Sequence, residues 1–127
     1  MGLSLQGLGG MRVNTELHPV LTIRIFGEEK CFGPGLAELL RRVKEHHSLR
    51  AAAASMGMAY SKAWTILKQA EKNLGFSLLL SSTGGRNGGG AVLTPDAERL
   101  LAAYDDYCEK TNRQAESLFR ESFRDFL

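Results

Sequence analysis

Residues 47–73, HSLRAAAASMGMAYSKAWTILKQAEKN, constrain this chain more than any other stretch. Ser48 is a good helix N-cap residue, and Ala51, Ala52, Ala53 and Ala54 follow it. Alanine has the highest helix propensity, and its small side chain lets a second helix come close. Gly57 supplies the permissive backbone that a sharp turn needs. A second helix is expected from about Tyr60 to Gly75, with Ala63, Ile66 or Leu67, Ala70 and Leu74 recurring at three- and four-residue steps as one inward face. Ser61, Lys62, Thr65, Lys68, Gln69 and Lys72 fall on the other side. This is the layout of a helix-turn-helix, whose second helix enters the DNA major groove. Helix pairs of this kind also occur in proteins that never meet nucleic acid, so the flanking sequence has to decide.

Upstream, Val20 to Phe26 (VLTIRIF) has the β-branched content and alternation of a strand, and Gly27 to Lys30 reads as a turn. Gly33-Pro34-Gly35 then starts a helix, since proline suits a first helical turn. Leu36, Leu39, Leu40 and Val43 form its apolar stripe, with Glu38, Arg41, Arg42 and Lys44 outside. Downstream, Phe76 to Ser81 and Ala91 to Leu93 are short strand candidates around Thr83-Gly84-Gly85-Arg86-Asn87-Gly88-Gly89-Gly90. Strand, glycine loop and strand directly after a helix-turn-helix make a wing, whose backbone can lie close to phosphate while Arg86 supplies charge. The loop lacks the G-x-x-x-x-G-K-[ST] pattern and no helix begins right after the glycines, which argues against a nucleotide site.

Thr94 is an N-cap, Pro95 suits the first helical position, and no breaker follows to the C-terminus. Ala97, Leu101, Tyr104, Cys108, Thr111, Ala115, Leu118 and Ser122 keep a four-three spacing, the seam of a coiled coil. A helix over residues 95–122 would be about 42 Å long. A domain this small cannot cover so long a face, which points to a second copy of the chain. The dimerisation residues expected on this basis are Leu101, Tyr104, Cys108, Ala115 and Leu118.

The distribution of charge says more than the net +2. Residues 35–93 carry eight Lys/Arg against three Glu, a surplus of five, whereas residues 94–127 carry five basic and eight acidic residues. A basic middle suggests an anion-binding face, although an ordinary solvated surface gives the same surplus. Cys31 and Cys108 lie far apart with no CxxC, so neither a disulfide framework nor a zinc site is expected. No apolar run reaches membrane length and the N-terminus lacks a signal peptide's order, so a cytoplasmic protein without membrane contact is the simplest expectation. No nucleophile–base pattern points to an enzyme.

Strand, helix, helix-turn-helix, winged hairpin and long helix is an order that resembles LysR-type DNA-binding domains. The wording resembles more closely the N-terminal domain of ModE-type molybdate-responsive transcriptional regulators. The resemblance rests on Phe32-Gly33-Pro34-Gly35, Ala51-Ala52-Ala53, Met56-Gly57-Met58-Ala59-Tyr60, Ala63-Trp64, Thr83-Gly84-Gly85, Gly88-Gly89-Gly90-Ala91 and Leu93-Thr94-Pro95, spanning residues 32–95. Two departures are small: Ala59 stands where the family usually offers serine, removing a cap worth about 1 kcal/mol, and Ala97 stands where glycine is common. The family also implies C-terminal molybdate-binding domains. These 127 residues hold no counterpart, so no molybdate site is expected in this chain.

The combined expectation is a mainly α fold with a small β-hairpin wing. A flexible arm (residues 1–19) precedes a winged helix-turn-helix DNA-binding domain (20–94) and a C-terminal dimerisation helix (95–127). The function expected is that of a bacterial-type transcriptional regulator binding double-stranded DNA as a homodimer, with no cofactor or metal. Ser61, Lys62 and Thr65 are the expected base readers, being early and outward on the recognition helix. Arg50 and Lys68 are expected over phosphates, Tyr60 either against a sugar or phosphate or in the core, Gln69 among the DNA-binding residues of the outer face, and Arg86 and Asn87 in the wing. Trp64 is expected in the core. The competing class is a winged helix that binds protein instead of DNA.

Overall fold

In the computed structural model, residues 16–82 and 90–127 are described. Strands β1 (Ile25–Phe26) and β2 (Lys30–Phe32) precede three helices, α1 (Pro34–His46), α2 (Leu49–Ser55) and α3 (Tyr60–Leu74). Strands β3 (Leu79–Ser82) and β4 (Gly90–Leu93) then lead into α4 (Pro95–Ser122) and a final 3₁₀ turn, Arg124–Phe126. The fold is therefore mainly helical with small antiparallel hairpins, a winged helix-turn-helix followed by a long helix. The chain divides into two compact units, residues 21–110 and residues 1–20 with 111–127.

In the larger unit the core grows from the stripe read on α1. Leu39, Leu40 and Val43 are wholly buried and Leu36 nearly so. Against them lie Ala52 and Ala53 of α2 and Ala63 of α3, all without exposed surface. Three alanines at the meeting of these helices allow the close approach that a tight helix-turn-helix requires. Phe32 of β2 joins them from the hairpin side and meets Tyr104 of α4 edge-on, ring centroids 4.9 Å apart. The Tyr104 hydroxyl donates to the Ile23 carbonyl at 2.6 Å. Burial first, and the neighbouring Cys108 second, hold this phenol above the ordinary tyrosine pKa.

Helix boundaries follow the capping chemistry. Ser48 Oγ accepts from the Ala51 N–H, Thr94 Oγ1 accepts from the Ala97 N–H, and Pro34 and Pro95 open their helices. Ala59 precedes α3 with no side-chain cap. Gly57 turns between α2 and α3 at φ 66° and Gly75 ends α3 at φ 84°, conformations that favour glycine.

Two strand bounds are corrected. Only Ile25–Phe26 of the VLTIRIF segment forms strand, and Val20 is 82% exposed. Its partner β2 has three residues, so the earlier part of the segment meets no backbone to pair with. The first wing strand begins at Leu79 rather than Phe76, because Leu78 is held in the turn by a Glu71 carboxylate that accepts its N–H at 2.7 Å. Arg41 and Lys44 stand on the outer side of α1, as expected. They pair with Asp105 and Glu98 of α4, so part of the basic surplus and part of the acidic deficit cancel inside one unit. Leu101 and Tyr104 are 5% and 7% exposed within the chain's own core, and Cys108 packs against it. The first half of the four-three seam thus packs within the chain's own core, with Phe32 of β2 against Tyr104.

The smaller unit contains the end of α4. Phe119 and Phe123 stack at 4.5 Å, and Phe123 meets Phe126 at 5.9 Å. Leu118 is 61% exposed, while Ala115 is half-buried. The expected arm falls mostly on residues outside the described ones. No helix among the described residues is long and apolar enough to cross a membrane.

Candidate nucleic-acid interface

α3 is supported from behind by its own apolar face, with Ala63, Leu67 and Ala70 buried and Ile66 and Leu74 half-covered. Its other side carries Ser61, Lys62, Trp64, Thr65, Lys68, Gln69 and Lys72, all exposed. Ser61, Lys62 and Thr65 therefore stand together in the first turns of a rigid, well-packed helix. The Thr65 hydroxyl donates back to the Ser61 carbonyl at 2.9 Å, which turns its methyl group and remaining lone pairs outward.

The other predicted residues divide. Arg50, on α2, lays its guanidinium over the Tyr60 ring at 4.1 Å from the centroid, joining the two helices on their outer side. Lys68 pairs with Glu71 at 3.2 Å and stands 5.2 Å from the Trp64 ring. The Gln69 amide leans away, toward Glu29 of the N-terminal hairpin at 3.4 Å. Arg86 and Asn87 lie outside the described residues. Trp64, expected in the core, is instead 47% exposed. One residue on from Ala63, it stands roughly 100° round α3 from the buried stripe of Ala63, Leu67 and Ala70.

Several residues that hold this face in place carry weak sequence signals. His47 adopts the left-handed conformation at φ 57° to end α1, and its carbonyl accepts the Ala91 N–H at 3.0 Å. That bond ties the wing's second strand to the start of the helix-turn-helix. The Thr94 hydroxyl donates to Ser77 O at 2.7 Å and the Thr94 N–H to Leu78 O, closing the wing's base beside α3. Arg42 donates to Glu38 on α1 and to the Ser55 carbonyl at the end of α2, where a cation suits the helix terminus. The hydrogen bond from Arg42, opposed by burial and aided by Arg41, keeps the Glu38 carboxyl below its usual pKa. Histidine as a left-handed cap and glutamate as an anchor for a turn have no distinctive spacing, so the sequence does not reveal them.

The electrostatics separate this face from α1, while Arg24 and Lys30 of the N-terminal hairpin also lack a carboxylate partner among the described residues. On α1, Arg41, Arg42 and Lys44 each hold a carboxylate. On the helix-turn-helix, Arg50, Lys62 and Lys72 have no carboxylate partner among the described residues, and the remaining residues of the chain contain no Asp or Glu. Cations left unneutralised on one rigid helical surface are suited to the phosphates of a nucleic acid. No cluster of three metal-ligating side chains occurs among the described residues.

Residues 35–98 match the family described as bacterial regulatory helix-turn-helix protein, lysR family. The transcriptional regulator ModE of Haemophilus influenzae is 38% identical over 103 residues, covering 80% of this chain and 38% of that protein. The molybdenum-pterin-binding protein MopB of Rhodobacter capsulatus is 39% identical over 66 residues, covering 52% of this chain and 24% of that protein. The DNA-binding transcriptional dual regulator ModE of Escherichia coli K12 is 32% identical over 87 residues, covering 68% and 32% respectively. The chain thus spans well under half the length of these relatives. The matched segment contains the α1 support, the helix-turn-helix, the wing strands and the first turn of α4. This chain belongs to the lysR family of bacterial regulatory helix-turn-helix proteins, a non-enzymatic family, and carries a DNA-binding domain of the ModE type.

Proposed function

We propose that this chain regulates transcription by binding duplex DNA as a homodimer, with α3 in the major groove and the glycine-rich wing against the adjoining backbone. The observation that carries the proposal is the set of unneutralised cations, Arg50, Lys62 and Lys72, on the outer side of the helix-turn-helix, when every cation of α1 is paired. Ser61, Lys62 and Thr65 are assigned to base edges. Arg50, Tyr60 and Lys68 are assigned to the backbone, with Gln69 at the margin of the site and Arg86 and Asn87 in the wing. No molybdate site is assigned to these residues.

Selection of bound fragments from random duplexes by the purified chain tests the proposal directly, and recovery of a single motif is expected. Lys62→Ala should then cost about 1–3 kcal/mol on that motif and much less on a scrambled duplex, because a base contact is lost and the phosphate contacts remain. Equal losses on both duplexes refute the assignment of Lys62. Failure to bind any duplex at low salt favours a winged helix that recognises protein.

The homodimer is assigned to the end of α4 and the residues after it, where Leu118, Phe123, Phe126 and Leu127 are all exposed. A two-fold axis would give an inverted-repeat motif with half-sites about 34–36 Å apart on the duplex. Replacing Leu118 and Phe123 together by Asp places unpaired charge in that contact. The double variant should sediment as a monomer, keep the wild-type helical spectrum and bind the selected duplex at least roughly 100-fold more weakly, since the second half-site no longer adds to the first. A wild-type chain that sediments as a monomer, or a monomeric variant with undiminished affinity, contradicts the assignment.

A further inference from the structure

The side of α3 turned toward the wing holds an aromatic surface whose role the base-reading residues do not explain. Trp64 and Tyr60, one helical turn apart, are 47% and 37% exposed. They wall an open cleft of about 310 Å³ whose other sides are Leu49 and Arg50 of α2 and Leu80 and Ser81 of β3. Arg50 stands over the Tyr60 ring and Lys68 beside the Trp64 ring, at 4.1 and 5.2 Å from their centroids. Glu71 is the acid in the cleft, and its carboxylate is already engaged by the Leu78 N–H at 2.7 Å and by Lys68 at 3.2 Å. The indole N–H has no hydrogen-bond partner among the described residues. Flat apolar rings, a free N–H donor and cations at the edge therefore line one continuous surface.

The ligand chemistry that matches is alternating apolar and anionic, which is that of a sugar–phosphate strand. The bases of a duplex stay stacked on one another, so rings lying beside the groove meet deoxyribose faces while the cations meet phosphates. We propose that Trp64 and Tyr60 form a platform for one deoxyribose–phosphate strand on the wing side of α3. Arg50 and Lys68 contact the phosphates at its edge. The platform sets the depth and register at which Ser61, Lys62 and Thr65 meet the bases, because backbone contacts position a reader without carrying sequence information. Trp64 is a positioning residue, and this inference rests on the DNA-binding reading above.

Trp64 is the single tryptophan of the chain, so selectively excited indole emission reports on this site alone. Wild-type chain is titrated with the selected duplex and with a scrambled duplex of equal length. Binding is followed independently by the anisotropy of labelled DNA. Acrylamide quenching of Trp64 is expected to fall at least about twofold, in step with the anisotropy, on both duplexes. Trp64→Ala should weaken both duplexes by a similar factor, roughly tenfold as for other aromatic contacts to nucleic acid, with Trp64→Phe recovering most of the loss. Anisotropy that reports binding while acrylamide access to Trp64 is unchanged overturns the platform and leaves the DNA-binding reading standing. A loss confined to the selected duplex makes Trp64 a base reader and also overturns it. If neither duplex binds at low salt, the DNA-binding reading falls and takes the platform with it.

Discussion

Affinity for duplex DNA is expected to fall roughly 10³-fold between about 50 and 200 mM salt, the slope that six phosphate contacts produce. The proposed contacts are Arg50, Lys62, Lys68, Lys72 and Arg86, doubled in the proposed dimer, of which about six need to reach a phosphate. The location of the other cations makes the test selective. Arg41 and Lys44 are held on α1 by Asp105 and Glu98, outside the proposed interface, so they neutralise no phosphate, displace none of the DNA's counterions and add nothing to the slope. Lys72→Ala should therefore reduce the salt slope by about one for each site lost, whereas Lys44→Ala should leave it unchanged. Anisotropy titrations across a salt series measure both. A flat salt response for the wild-type chain, or equal effects of the two substitutions, contradicts an interface built on the helix-turn-helix cations.

Phe32→Ala is expected to destabilise the fold by about 3–5 kcal/mol, the usual loss for a phenylalanine removed from a packed core. Phe32 is 1% exposed and meets Tyr104 edge-on, so its ring is shared between the N-terminal hairpin and α4. Removing it opens a cavity between elements that cannot readily close, since the Tyr104 hydroxyl is anchored to Ile23 O on the far side. Small domains are stable by only about 5–15 kcal/mol in total, so urea unfolding should show a much earlier midpoint with little change in slope. Glu28→Ala, at an exposed bend of the same hairpin and outside both proposed interfaces, serves as the control. A Phe32→Ala midpoint close to wild type would mean that the hairpin and α4 are not part of one core.

Local chemistry carries far in this chain. Ser48, Thr94, Pro34 and Pro95 mark the starts of α1, α2 and α4, and Gly57 and Gly75 at positive φ mark the ends of α2 and α3. The reason is that a cap or a left-handed turn is decided within a few residues of backbone. The apolar stripes of α1 and α3 are likewise local, because helical periodicity alone divides inward from outward. Hence the helix-turn-helix and its outward Ser61, Lys62 and Thr65 are legible in the amino-acid sequence alone.

Everything that depends on which elements share a surface is decided only by the tertiary structure. The four-three seam of α4 is real as a periodicity, yet Leu101 and Tyr104 pack within the chain's own core while Leu118 is exposed. The charge asymmetry along the chain is real too, but Asp105 and Glu98 lie against Arg41 and Lys44, which takes those α1 cations out of the surplus and leaves Arg50, Lys62 and Lys72 of α2 and α3 without a carboxylate partner among the described residues. Trp64 follows the same logic. Hydrophobicity favours its burial, and on the flank of α3 a neighbouring element could have covered it, but the ring stays half-exposed at the wing-side cleft. A single sequence specifies what each helix presents on each side, and packing determines which of those sides remain available to bind.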